Sequence, residues 1–146
     1  MGQEHNVKRS VSLYSFQEEY LYKKMTLEDC IAATSKMGAK GVEIIGDQMI
    51  HGSPFPEESF YEKWHGWMNT YHLEPACNDI FINTSLYKNR KLTDAECIEM
   101  MINELKHANK LGCKVVRLVS KSPYEIISRC LPYAEKYDVA MALSIV

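Results

Sequence analysis

One twelve-residue pattern occurs twice in this chain. Ser35–Gly46 is S-K-M-G-A-K-G-V-E-I-I-G, and Asn109–Ser120 is N-K-L-G-C-K-V-V-R-L-V-S, 74 positions later. Lysine, glycine, lysine and valine coincide. In each copy a helical pattern ends at a glycine, which accepts the left-handed conformation that closes a helix. An apolar run of strand length follows. The offset is two units of about 37 residues, the size of a strand–helix pair. Repeating units of this kind give parallel strands joined by same-handed crossovers.

The remaining segments fit that alternation. Val11–Phe16, V-S-L-Y-S-F, predicts a first strand within Lys8–Phe16, after a flexible lead-in over residues 1–10. Thr26 and Thr93 are each followed three residues on by an acid, Asp29 and Glu96. That pairing is a capping box, in which hydroxyl and carboxylate satisfy each other's orphan amides. Leu27, Cys30, Ile31, Thr34 and Met37 then lie on one helical face. Gly41–Gly46 is a second strand and His51–Pro56 a loop. Glu58–Tyr71 is a helix weakened by Gly66, with Phe60, Trp64, Trp67 and Met68 on one side. Glu74–Ile82 is a third strand with Pro75 at its start, where a missing amide does least harm. The next helix carries Ile98, Met101, Ile102, Leu105, Ala108 and Leu111 and stops at Gly112. Cys113–Ser120 is a fourth strand. Ser122-Pro123 opens a last helix that Pro132 should kink. Val139–Val146 is a fifth strand. The chain is one domain, α/β in class, with about four and a half strand–helix units over residues 1–146. Two architectures accommodate it: an open doubly wound sheet, or part of a (β/α)8 barrel, whose complete form needs about 250 residues.

Composition excludes several functions. A net charge of −2 with interspersed signs gives no electrostatic grip on nucleic acid. No apolar run is long enough for a membrane span. The five cysteines form no C-x-x-C pair, and with no apolar leader they point to reduced core thiols and a cytoplasmic setting. No G-x-G-x-x-G, Walker, H-E-x-x-H or G-x-S-x-G pattern occurs. The missing phosphate loops weigh against a flavodoxin-like binding module.

In either architecture ligands gather at the carboxyl ends of the strands. That selects Tyr14, Ser15 and Gln17, then Glu43, Asp47, Gln48 and His51, then Asn78 and Asp79, then Arg117, Ser120 and Lys121, and finally Ser144. Glu43 stands in an apolar strand, where a carboxylate is costly unless paired. It is either a substrate contact or a core glutamate bonded to Arg117, its counterpart in the repeat. Asp79 poses the same choice. Tyr14 is a lining residue, His51 a solvated loop histidine, and His65 belongs under the W-H-G-W aromatic cluster. The four substrate-side candidates are Tyr14, Glu43, Gln48 and Asp79.

V-S-L-Y-S-F, T-L-E-D-C-I-A-A, M-G-A-K-G-V-E-I-I-G and L-G-C-K-V-V-R-L together resemble the first half of the sugar-phosphate isomerase/epimerase family, the xylose-isomerase-like TIM barrels. V-S-L-Y-S-F-Q-E-E-Y, G-D-Q-M-I, W-H-G-W-M and D-I-F are most similar to C-glycoside deglycosidase α-subunit-type proteins. The resemblance implies a metal-dependent enzyme that abstracts a proton next to the carbonyl of a sugar, sugar derivative or 3-oxo-glycoside. It implies a divalent metal, often manganese, in the full-length parent. The family's glutamate within A-L-E-I-H corresponds here to Ser144, in Ala142-Leu143-Ser144-Ile145-Val146, so no metal ligand carries over. The expectation is therefore an amino-terminal part, inactive alone. The alternative is a non-catalytic half-barrel that closes its sheet with a second copy or a partner chain.

Overall fold

A computed structural model describes residues 7–119 and 124–144. Most of the 1–10 lead-in, Ser120 and Lys121, the Ser122-Pro123 helix start and the Ile145-Val146 end of the fifth strand lie outside them. The elements, in chain order, are β1 (Ser10–Ser12), a 3-10 turn (Leu13–Phe16), α1 (Gln17–Leu21), α2 (Leu27–Lys36), β2 (Gly41–Ile45), α3 (Gly46–Met49), α4 (Glu58–Tyr71), β3 (Glu74–Ile80), α5 (Asp94–Leu111), β4 (Val115–Leu118), α6 (Tyr124–Tyr137) and β5 (Ala140–Leu143).

The five strands pair in parallel in the order β1-β2-β3-β4-β5. A doubly wound sheet reverses its strand order at a switch point. This one never does, so the open-sheet alternative falls and a partial barrel remains. Every crossover returns to the next strand, and the helices form one layer, with α2 packing on α4, α4 on α5 and α5 on α6. Among the described residues, the opposite face of the sheet carries no helix.

Each strand splits its residues between the two faces, because side chains alternate. Val42, Ile44, Ile80, Val116 and Leu118 turn toward the helices and are buried with Cys30, Ile31, Trp64, Met101, Leu105 and Cys130. Both capping boxes form: Thr26 with Asp29 and Thr93 with Glu96. The register of β2 on β3 passes from Val42↔Pro75 to Glu43↔Cys77, leaving Ala76 as an extra residue. Pro75 has no amide for the ladder, which suits it to this bulge.

Four expectations need correction. The first strand is three residues long, and Leu13–Phe16 coils into a 3-10 turn because the Ser12 side chain accepts the Tyr14 amide. Met37 ends its helix exposed. Tyr61, rather than Trp67, joins Trp64 and Met68 in the buried stripe of α4. His65 is exposed, with Nε2 2.8 Å from the Lys110 carbonyl, and does not lie under the tryptophans. Pro132 lies inside α6, near its middle, where the sequence places it. No helix among the described residues is long and apolar enough to cross a membrane.

Two glycines test the backbone account with opposite signs. Gly112 caps α5 at φ +79°, and a Cβ there would meet Pro75 Cγ at 3.2 Å. Gly66 lies inside α4 with open space where its Cβ would be. Gly112→Ala is expected to cost about 1–2 kcal/mol and Gly66→Ala to add about 0.5–1 kcal/mol. Urea unfolding of the two variants checks both values.

Candidate functional site

The helix-free face of the sheet holds a cleft of about 430 Å³, lined by Ser12, Tyr14, Ser15, Glu43, Ile45, Asp79, Phe81, Arg117 and Val119. Strand alternation places its charged members. Glu43 on β2, Asp79 on β3 and Arg117 on β4 all point away from the helices. Asp79 and Arg117 are direct partners in the β3–β4 register.

These three form one ionic cluster. Arg117 Nη2 lies 2.7 Å from Asp79 Oδ2 and 2.9 Å from Glu43 Oε1. A single guanidinium nitrogen thus serves two carboxylates. Asp79 is only 2% exposed, so it depends on this partner. Burial raises the Asp79 carboxyl above the ordinary range, Glu43 pushes the same way, and Arg117 opposes them. Glu43 is bonded to Arg117, as one of its two readings has it, and it also lines the cleft.

Cys77 lies beneath, with its thiol 3.8 Å from Asp79 Oδ1. Burial and the two nearby carboxylates push that thiol up to about 12, so it stays protonated and is no nucleophile. Glu43, Cys77 and Asp79 bring ligand atoms within 4.8 Å of one another. They do not fit a divalent metal as arranged, because the Arg117 guanidinium already takes both carboxylates.

Tyr14 is 56% exposed and lines one side of the cleft, with Phe81 on another. Gln48 is exposed on the α3 turn, where its Oε1 accepts from Gln17 Nε2 at 2.6 Å. It stands outside the cleft wall. His51 is an exposed loop residue, as expected of it. Asn78 goes to the other face: it is buried, accepts from the Gly46 amide and donates to Glu104. That follows from its place next to Asp79, since neighbours on a strand point opposite ways. Ser144 is exposed, with its amide donating to the Leu118 carbonyl.

The sequence missed Phe81, which alternation from Asp79 would have found. It also missed His107 and Glu104, which lie in the middle of α5 near apolar positions and carry no motif. Burial raises the Glu104 carboxyl to about 7, with Asp47 pushing the same way.

No family model matches the chain. Known proteins are similar to it. It is 30% identical over 140 residues to the C-glycoside deglycosidase alpha subunit of Arthrobacter globiformis, covering 95% of this chain and 40% of that protein. It is 29% identical over 136 residues to the 3'-dehydrocarminate deglycosidase alpha subunit of a Microbacterium species, covering 92% and 39%. The chain therefore spans about two-fifths of the length of these relatives. Among solved structures, a sugar phosphate isomerase/epimerase from Parabacteroides distasonis superposes with a TM-score of 0.66 at 15% identity, covering 97% of this chain and 53% of the other. A xylose isomerase domain protein from Planctomyces limnophilus gives 0.53 at 11% identity, covering 77% and 48%. The chain thus matches the family that its motifs resemble, with the fold of the sugar phosphate isomerase/epimerase and xylose-isomerase-like barrels and with C-glycoside deglycosidase α subunits as its sequence relatives.

Proposed function

We propose that this chain supplies the substrate-facing wall of a sugar-acting enzyme whose ligand is an uncharged, hydroxyl-rich sugar derivative such as a 3-oxo-C-glycoside. The observation that carries this reading is the occupied state of Arg117. It is the one cation lining the cleft among the described residues, and two carboxylates already hold it. A phosphate or carboxylate ligand would meet a wall that is neutral or negative. Hydroxyl groups suit that wall better, since they can donate to the free lone pairs of Glu43. Tyr14 and Phe81 add flat apolar surface for a sugar ring or an aromatic aglycone.

The reaction proposed is proton abstraction next to a carbonyl of the sugar. The role of this wall is to hold and orient hydroxyls; no catalytic base is assigned to it. No step here runs through a metal, for which its residues are unsuited. The relatives are named α subunits, and work beside a partner subunit is part of the proposal.

Saturation-transfer NMR with a 3-oxo-C-glycoside and with a hexose phosphate at equal concentration tests the ligand class. The expected result is transfer to the glycoside only, weakened at least tenfold in affinity by Glu43→Gln, because a lost charged acceptor contributes about 1.5–3 kcal/mol. Preferred binding of the hexose phosphate would overturn the reading.

The cluster also sets a pH dependence. The folded Asp79 carboxyl titrates above its unfolded value of about 3.8. The folded state therefore binds the extra proton, and stability falls as pH rises from about 4 toward neutrality. Asp79→Asn is expected to flatten that part of the stability curve, measured by chemical denaturation at stepped pH. An unchanged slope would show that Asp79 is not the group responsible.

A further inference from the structure

Behind the sheet, away from the cleft, Gly46 follows β2 beneath three polar side chains. A Cβ on Gly46 would lie 3.1 Å from Asn78 Oδ1, 3.1 Å from Ser53 Oγ and 3.3 Å from His107 Nε2. Asn78 Oδ1 accepts from the Gly46 amide at 3.2 Å, and Asn78 Nδ2 donates to Glu104 at 3.3 Å. His107 is 1% exposed, with Nδ1 2.7 Å from the Tyr61 hydroxyl. Ser53 Oγ and His107 Nε2 are both buried, and neither has a hydrogen-bond partner among the described residues. Buried polar groups are almost always satisfied, by protein or by ordered water.

The charge of the site narrows the ligand. Burial, with Glu58 and Glu104 nearby, holds the Tyr61 hydroxyl up at about 12, so it keeps its proton. Burial, with Lys110 nearby, holds the His107 imidazole down at about 4, so it is neutral. Neither group offers the positive charge an anion needs. Glu104 and His107 are metal-ligating types, yet among the described residues the only converging set of such ligands is on the opposite face of the sheet. The ligand is small and neutral, and it both donates and accepts.

We infer that Ser53, Asn78 and His107 bind one internal water molecule beside Gly46. The water accepts from His107 Nε2–H and donates to Ser53 Oγ and to the second lone pair of Asn78 Oδ1. Tyr61 donates to His107 Nδ1, which fixes this tautomer. Three partners is the usual number for an internal water. Gly46 opens the α3 turn. The water therefore ties the loop that carries Ser53 to β3 and α5 beside that turn, and the absence of a side chain at position 46 keeps its place open.

A crystal structure of the protein that orders internal water, with nitrogen-15 NMR of His107, tests the site. The expected result is a water within 3.2 Å of both His107 Nε2 and Ser53 Oγ, and a neutral ring protonated at Nε2. A direct Ser53–His107 hydrogen bond, a dry gap, or a ring protonated at Nδ1 overturns the inference. Gly46→Ala is expected to expel the water; a folded variant that retains it also overturns the inference.

Discussion

Arg117 is the interaction on which the inner face depends. Asp79 would be an unpaired carboxylate in a nearly dry setting without it, and a stranded buried charge typically costs about 3–5 kcal/mol. Glu43 leans on the same guanidinium nitrogen. The pairing is possible only because β2, β3 and β4 are consecutive neighbours in a parallel sheet. The repeat that places Glu43 and Arg117 at equivalent positions of two units therefore also brings them to one wall.

The same topology divides the protein chemically. One face of the sheet gives its apolar residues to the helices, and the core forms there. The other face carries Glu43, Asp79 and Arg117, which pair through one guanidinium nitrogen and line a cleft. Asn78 and Asp79, adjacent in sequence, go to opposite sides: one fastens the β2–α3 turn to α5, the other completes the ionic cluster. The cleft and the polar cluster behind it thus lie on opposite faces at the carboxyl ends of β2 and β3, where ligands gather in barrels of this kind.

Much of this was legible in the residues. The duplicated lysine–glycine–lysine–valine pattern gave the parallel strands, and the two capping boxes marked helix starts that the structure reproduces. Glu43 and Asp79 stood out because a carboxylate in an apolar run needs a reason. Local pattern alone left barrel and open sheet both standing, since strand order is set by where crossovers pack; the resemblance of the motifs to the xylose-isomerase-like barrels pointed to the partial barrel. The first strand was overextended because apolar alternation continues through Leu13–Phe16, whereas the Ser12 side chain turns the backbone there. His65 was misplaced because neighbouring tryptophans suggest burial, although its helical angle turns it outward. His107 and Glu104 gave no signal, because only long-range packing buries His107 and half-buries Glu104.

The most direct test of this account is a thermodynamic cycle among Arg117→Met, Glu43→Gln, Asp79→Asn and their combinations, followed by denaturant unfolding at neutral pH. The account predicts that Arg117→Met alone is strongly destabilising, and that neutralising both carboxylates recovers much of the loss. The coupling should be about 0.5–3 kcal/mol for each pair. Additive effects across the three positions would contradict it, because each side chain would then be held by something other than the other two.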